Sequence, residues 1–210
     1  MRVDIWSDIG CPWCYVGKRR FENALADFPH RDDVEVVYHS FELDPSHPAG
    51  KTTPVTEMLI GKFGMPRGQV EAAEAKLAAT AAAEGLGYDH NRHAGNTFDF
   101  HRLAHWATTQ GKQKELLDHA YAVHFGEAKS VHDTEALVDL AKNAGLDADE
   151  ARKVLESTDY TDEVRADEQQ ARELGISGVP FYVLDMKYGV SGAQPTEVFS
   201  QALTKAYEPA

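Results

Sequence analysis

Cysteine is scarce in this 210-residue chain, and so are basic residues and long apolar runs. A bridge between the two cysteines, Cys11 and Cys14, would close so short a loop that it removes little unfolded-chain entropy, which argues against a structural staple. Lys and Arg number 21 against 34 Asp and Glu, and this net charge of −13 excludes a nucleic-acid-binding surface. No apolar run reaches the roughly 18 residues of a membrane span. No secretory apolar segment follows Met1, so we expect a cytoplasmic protein without membrane partners.

The predicted elements follow the order β-α-β, a long helical block, then β-β-α. Alternating and β-branched residues at 3–6 and 34–41 predict two strands on either side of a helix. Two short strands joined by a tight turn and a final helix are predicted near the C-terminus. Residues 1–43 and 176–210 are therefore predicted to form one α/β domain, and residues 44–175 a helical insertion.

A glycine follows most of the helical patterns in the insertion. A glycine at this position predicts a left-handed residue that ends the helix. The predicted helices are 69–84, 97–110, 112–125, 134–144 and 160–174. Asp147 and Glu150 form a capping box that opens one more short helix. The segment 44–54 holds three prolines and is predicted to be a loop.

The two cysteines lie at the predicted start of the first helix, separated only by Pro12 and Trp13. Unpaired backbone N–H groups and the positive end of the helix dipole favour a thiolate there, so we expect a lowered pKa for Cys11. Such a thiolate can attack a disulfide, and Cys14, one turn later, can resolve the resulting mixed disulfide. The pair predicts disulfide exchange with a protein or small-molecule thiol.

Metal binding and an inert buried pair are the alternatives for these cysteines. Zinc would need two further ligands, and the chain has no second cysteine pair. His101 and His105 lie four residues apart on a predicted helix, but no adjacent Glu accompanies them. An inert pair is disfavoured because the cysteines begin a helix rather than lie within an element. We predict no metal and no bound cofactor.

Two further features bear on the cysteines. Pro180 follows Gly178 and Val179 directly before a predicted strand, where a trans proline would only mark a strand edge. Beside an upstream cysteine pair, a cis Pro180 packed against the disulfide is favoured. Asp8 either influences the proton of Cys11 or serves as a helix cap or loop acid.

The motif Ser7-Asp8-Ile9-Gly10-Cys11-Pro12-Trp13-Cys14-Tyr15-Val16-Gly17 resembles the DsbA family of oxidoreductases. Gly178-Val179-Pro180 and Val190-Ser191-Gly192-Ala193-Gln194 extend the resemblance over essentially the whole chain, and the match is closest to the FrnE-like branch. This resemblance implies an α/β thioredoxin fold with a mixed central sheet and a large inserted all-helical domain.

The resemblance also implies roles for individual residues. Cys11 would be the nucleophile, Cys14 the resolving thiol and Pro180 the cis-proline, while Val179 would offer its backbone to substrate. The predicted catalytic residues are thus Cys11 and Cys14, and the predicted substrate-binding residues are Pro12, Trp13, Val179 and Pro180.

Glutathione-dependent isomerases and kappa-class transferases, such as 2-hydroxychromene-2-carboxylate isomerase, resemble this chain in architecture. They usually carry Ser at the position of Cys11, lack the resolving cysteine and place an acid near Gln194. An enzyme of this type is the alternative, with glutathione as a candidate co-substrate, and a non-enzymatic partner-binding protein is a third hypothesis. A homodimer is a candidate assembly, since dimers are common.

The insertion is expected to form an apolar groove beside Trp13, because a small or extended substrate needs a concave wall. Phe98, Phe100 and Trp106 are candidate liners. The alternative is that these aromatic residues form the core of the insertion itself.

Overall fold

A computed structural model describes residues 1–207 in two compact units. The sheet unit comprises Met1–Leu43 and the chain from Arg165 onward, and the helical unit comprises Asp44–Val164. The last three residues of the predicted domain 176–210 lie outside the described part.

The strands and helices follow one another along the chain in an order close to the prediction. They are β1 (Arg2–Ser7), α1 (Pro12–Ala26), β2 (Glu35–Ser40), β3 (Thr52–Pro54), α2 (Val55–Phe63), α3 (Arg67–Ala83), β4 (His93–Gly95), α4 (Phe98–Thr109), α5 (Gln113–Tyr121), α6 (Thr134–Asn143), α7 (Ala148–Glu156), α8 (Thr161–Glu173), β5 (Phe181–Leu184), β6 (Tyr188–Ser191) and α9 (Thr196–Tyr207).

The sheet of the first unit has the strand order β2-β1-β5-β6. β1 and β2 are parallel, whereas β5 pairs antiparallel with both β1 and β6. The sheet is therefore mixed, which confirms the prediction. β1 is buried over most of its length because it lies between two other strands.

The two faces of this sheet pack against different helices, since successive residues of a strand point to opposite sides. On one face, the Tyr182 ring of β5 lies 5.4 Å from Phe21 of α1 and 4.6 Å from Phe199 of α9, measured between ring centroids. On the other face, Trp6 of β1 packs in a cluster with Ala171 of α8. Each face thus has its own apolar core.

The helix α8 belongs mostly to the sheet unit, although the prediction assigned it to the insertion. The indole N–H of Trp6 donates to the Asp167 carbonyl at 3.0 Å, and the Asp167 carboxylate accepts from the Ser40 N–H at 2.8 Å. The second boundary accordingly lies between Val164 and Arg165 rather than at 175/176. Helical periodicity reveals that α8 has an apolar side, but not which core that side joins.

The helical unit contains a small sheet, so the prediction of an all-helical insertion was wrong. β3 and β4 pair antiparallel, with Thr52 opposite Gly95. A Cβ atom at Gly95 would lie only 2.5 Å from the His132 ring, so this position requires glycine. Strands of three residues are too short to show an alternating pattern, and Pro54 contributed to the prediction of a loop over β3.

The predicted ends of the helices between residues 69 and 175 are largely confirmed. Asp147 accepts hydrogen bonds from the N–H groups of Asp149 and Glu150, as a helix N-cap does. Glycines with positive φ follow four of the predicted helices, and they are Gly85, Gly111, Gly145 and Gly175. Gly126 differs, because α5 continues into a π-helical turn, Ala122–Gly126.

Candidate active site

The short connection from β1 to α1 places Cys11 immediately before the helix. Cys11 is the N-cap residue with extended backbone angles (φ −94°, ψ 112°), and Pro12 occupies the first turn. Proline fits there because its missing N–H would have had no partner within the helix. The Cys11 carbonyl accepts hydrogen bonds from the N–H groups of Cys14 at 3.0 Å and Tyr15 at 3.3 Å. The start of the helix therefore fixes the backbone on both sides of the cysteine pair.

Both cysteines are free thiols with little exposure to solvent, 4% for Cys11 and 2% for Cys14. The Cys11 thiol donates to the Val179 carbonyl, with 3.5 Å between sulfur and oxygen. Burial raises the pKa of the Cys14 thiol well above its usual value, and its hydrogen bond with Cys11 raises it further. The two buried sulfurs thus have different surroundings. The Cys11 sulfur contacts the Val179 carbonyl just before β5, whereas burial is the main cause of the raised pKa at Cys14.

Val179 and Pro180 bring the C-terminal part of the chain to the cysteines. The peptide bond between them is cis, and Pro180 is buried directly before β5. A Cβ atom at Gly17 of α1 would lie 3.0 Å from the Pro180 ring and 2.7 Å from the Tyr182 hydroxyl. The absence of a side chain at Gly17 therefore allows α1 to approach this segment closely.

Asp8 anchors the loop that leads to Cys11. Its buried carboxylate accepts hydrogen bonds from the N–H groups of Gly10 at 3.1 Å and Leu43 at 2.7 Å. It is not a helix cap, because Cys11 holds the N-cap position. Asp8 acts on the Cys14 pKa in two opposite ways, since a hydrogen bond from its backbone lowers that pKa and its charge raises it. Of the two interpretations of Asp8, the structure shows the loop acid. An influence on the proton of Cys11 stays a prediction.

The remaining predicted substrate-binding residues differ in exposure. Trp13 is 39% exposed although the thiols on either side of it are buried, while Pro12 and Val179 are half-buried. A large apolar ring at the surface is suited to contact a partner molecule. The structure thus brings all six predicted site residues into one region of the sheet unit.

The aromatic residues proposed to line a groove belong to α4 of the helical unit. Phe100 and Trp106 are buried and Phe98 is half-buried. The groove beside Trp13 stays a prediction. Within residues 1–207, no group of three or more His, Cys, Asp or Glu side chains is placed to hold a metal ion. The same residues include no helix that is long and apolar enough to cross a bilayer.

Sequence reasoning missed a buried ionic network on the Trp6 face of the sheet. His39 of β2 lies 2.7 Å from a carboxylate oxygen of Asp4 through Nε2, and 2.7 Å from one of Asp167 through Nδ1. Burial lowers the pKa of His39, but hydrogen bonds and charge from Asp167 and Asp4 outweigh it, so the pKa is raised. Because both ring nitrogens face acceptors, the ring is suited to the doubly protonated form. Only the strand alternation of β1 and β2 could have hinted at this pairing.

Comparison with known proteins identifies the family. The model of the DSBA-like thioredoxin domain matches residues 2–204. The chain belongs to the DSBA-like thioredoxin domain family. The uncharacterized protein YwbO of Bacillus subtilis is 29% identical over 209 residues, which cover 97% of this chain and 96% of that protein. The family assignment confirms the resemblance read from the cysteine motif.

Solved structures of DsbA-like proteins share the fold. A probable DsbA oxidoreductase from Streptomyces coelicolor is 57% identical, with a TM-score of 0.96 over 100% of this chain and 92% of that one. The cytosolic disulfide reductase DsbM from Pseudomonas aeruginosa, solved with GSH, gives a TM-score of 0.69 at 16% identity, covering 98% of each chain. A 2-hydroxychromene-2-carboxylate isomerase gives 0.72 at 16% identity, covering 98% of this chain and 95% of that one. The thioredoxin fold is thereby confirmed, and the family is one of oxidoreductases.

Proposed function

We propose that this DsbA-like protein is a thiol–disulfide oxidoreductase that exchanges disulfides through Cys11 and Cys14. One observation carries the proposal: the Cys11 sulfur lies at the N-terminus of α1, 3.5 Å from the Val179 carbonyl, with Cys14 buried one turn later. Helix N-termini favour anions, so Cys11 is the residue placed to react as a thiolate.

The exchange proceeds in two steps. The Cys11 thiolate attacks one sulfur of a substrate disulfide, forms a mixed disulfide and releases the other substrate sulfur as a thiolate. Cys14 then attacks the Cys11 sulfur, which closes the Cys11–Cys14 disulfide and releases the second substrate sulfur. The same two steps in reverse order oxidise a substrate dithiol. Trp13 and Pro12 would contact the substrate on one side, and Val179 and Pro180 on the other.

The substrates would be protein or small-molecule thiols and disulfides. Glutathione is the first small molecule to test as a co-substrate, because the related fold of DsbM was solved with GSH. We further propose a cytoplasmic location, a FrnE-like branch within the family, and a homodimer as the assembly to test by light scattering. Isothermal calorimetry with reduced and oxidised glutathione would decide whether that tripeptide binds.

The first test is reduction of insulin disulfides by the wild type and two single variants. Cys11→Ser should abolish turnover, because the remaining thiol, Cys14, is buried and has a raised pKa, so it is poorly placed to attack a substrate disulfide. Cys14→Ser should instead accumulate a mixed disulfide on Cys11, which intact-protein mass spectrometry detects as an added substrate mass. A Cys11→Ser variant that keeps wild-type activity in both insulin reduction and refolding of scrambled ribonuclease would rule the proposal out.

The second test asks whether Trp13 recognises protein substrates. Trp13→Ala should raise the KM for a protein disulfide by about 5- to 30-fold, since an interfacial aromatic anchor contributes roughly 1–2 kcal/mol or more. Its reaction with a small aromatic disulfide should stay within about twofold of the wild type. Met186→Ala is the matched control, because Met186 is also an exposed apolar residue of the sheet unit. Equal effects of both substitutions would mean that Trp13 has no specific role.

A further inference from the structure

The Tyr182 hydroxyl is a buried polar group that the proposed exchange has not used. The side chain is fully buried, and no hydrogen-bond partner of the hydroxyl is present among residues 1–207. A buried hydroxyl without a partner costs about 1–3 kcal/mol, and phenylalanine would fill nearly the same space without that cost. A tyrosine at this position is therefore favoured over phenylalanine only if the hydroxyl gains a hydrogen-bond partner in another state of the protein.

The position of this hydroxyl is fixed by the strand and by the helix it faces. Tyr182 is the second residue after Pro180, so both side chains point to the same side of β5, toward α1. The hydroxyl lies 2.7 Å from where a Gly17 Cβ would be. Gly17 is three residues after Cys14, and residues three apart share one face of a helix. The hydroxyl thus lies against the face of α1 that carries Cys14.

The pKa of the Tyr182 hydroxyl responds to charge on both sulfurs. Burial raises the pKa of Tyr182 well above 10, and negative charge on Cys14 raises it further, more than charge on Cys11 does. The phenol is therefore protonated throughout the neutral range and can act only as a donor toward a thiolate. A thiolate at Cys14 needs hydrogen-bond donors because burial disfavours its charge, and a hydrogen bond from the Asp8 backbone offsets that effect on the Cys14 pKa only in part.

We propose that the Tyr182 hydroxyl donates a hydrogen bond to the Cys14 sulfur when that sulfur carries negative charge during disulfide exchange. The inference rests on the proposed function and names a third residue for it. In the resolving step, the Cys14 thiolate attacks the Cys11 sulfur of the mixed disulfide. The bond between Cys11 and Cys14 forms, and the bond between Cys11 and the substrate sulfur breaks. The substrate sulfur leaves with the electron pair and takes up the proton that Cys14 has lost.

The same contact operates in the opposite direction. When a substrate thiolate attacks Cys11 in the oxidised protein, the electron pair of the broken bond moves to Cys14, which becomes the buried leaving group. A donor at this sulfur lowers the barrier of either step by stabilising developing charge, as preorganised donors do elsewhere. In the resting dithiol the hydroxyl makes no hydrogen bond to either sulfur, so the contact forms only when charge develops on Cys14 and draws the donor toward it.

The test separates the two steps in one reaction. The dithiol protein is mixed with excess 5,5′-dithiobis(2-nitrobenzoic acid), and release of thionitrobenzoate is followed by stopped-flow absorbance. The first release reports attack by Cys11, and the second reports resolution by Cys14. Tyr182→Phe should slow the second release by about 10-fold to 100-fold, the range expected for loss of a hydrogen bond to a charged group. Its first release should stay within about twofold of the wild type.

Tyr38→Phe is the matched control, because Tyr38 is a second buried tyrosine on the same sheet. It should leave both releases within about twofold. A further readout uses the Cys11→Ser background, in which Cys14 is the single thiol: adding Tyr182→Phe should raise the Cys14 pKa measured by thiolate absorbance. If Tyr182 had only a structural role, Tyr182→Phe would leave the Cys14 pKa unchanged. It would also not slow the second release while leaving the first release unaffected.

The outcomes distinguish this inference from the proposal on which it depends. A wild type that shows no resolution step would overturn the exchange mechanism, and this inference with it. A wild type that resolves normally, with a Tyr182→Phe variant that matches it in the second release and in the Cys14 titration, would overturn the role of Tyr182 alone. Reduced Tyr182→Phe should unfold at the wild-type temperature or above, and a clearly lower temperature would show that the hydroxyl has a structural partner instead.

Discussion

Gly17 shows how a single missing side chain shapes the site. In the middle of a helix, Gly→Ala normally stabilises by about 0.8–1.0 kcal/mol, because alanine loses less backbone entropy. At Gly17, however, a Cβ would lie 2.7 Å from the Tyr182 hydroxyl and 3.0 Å from the Pro180 ring. Overpacking of this kind costs about 1–3 kcal/mol, which exceeds the gain in helix propensity.

We therefore expect Gly17→Ala to lower the free energy of unfolding by up to about 2 kcal/mol, the overpacking cost less the gain in helix propensity. Urea denaturation followed by far-UV circular dichroism measures the change. Gly61→Ala in α2 is the control, because a Cβ at Gly61 has open space around it and should stabilise by up to about 1 kcal/mol. If both substitutions stabilised the protein equally, the close approach at Gly17 would not be real.

At the scale of elements, β1, β2 and α8 are joined by the His39 network. Asp4, His39 and Asp167 each come from one of these elements, and Trp6 stacks on the imidazole at 4.5 Å between ring centroids. The His39 pKa is raised in the folded protein, so the folded state binds a proton more tightly than the unfolded chain does. Folding stability is then coupled to pH through this ring.

The sign of that coupling determines the expected pH profile. The His39 contribution is fully present below the unfolded pKa of about 6.5 and is lost as pH rises through the raised folded pKa. Between pH 6 and pH 9 the stability of the wild type should fall relative to His39→Gln, with a slope of at most about 1.4 kcal/mol per pH unit for one proton. The difference between the two proteins removes contributions that they share, including those of the thiols. Parallel stability profiles over this range would contradict the assignment of a raised pKa.

Across the whole molecule, α8 is where the sequence and the structure disagree most. The first strand–helix–strand unit, the C-terminal pair of strands and most helix ends were predictable, because local patterns such as Asp147 before a helix have their own physical reason. The unit to which α8 belongs was not predictable. It depends on contacts of Asp167 with His39 and Ser40, which are more than a hundred positions away in the sequence. The buried hydroxyl of Tyr182 was not predictable for the same reason, since the sequence indicates only an aromatic residue in a strand.

Hydrogen exchange would test the boundary that the structure gives. Val183→Ala in β5 removes two methyl groups from the cluster that contains Trp6, Ala171 and Ile176, at a cost of about 2 kcal/mol. The amides of residues 165–173 should lose protection together with those of β5, because they belong to one cooperative unit. Unchanged protection of 165–173 alongside weakened protection of β5 would favour the boundary at 175/176 instead.

The contact between the Cys11 sulfur and the Val179 carbonyl joins residues 168 positions apart. A ribosome adds about 5–20 residues per second, so the two sides of the site are synthesised on the order of 10 s apart. During that interval the nascent chain carries both thiols without the segment that later encloses them. Until the segment around Val179 is made, the two thiols therefore lack one of the contacts that bury them in the folded protein.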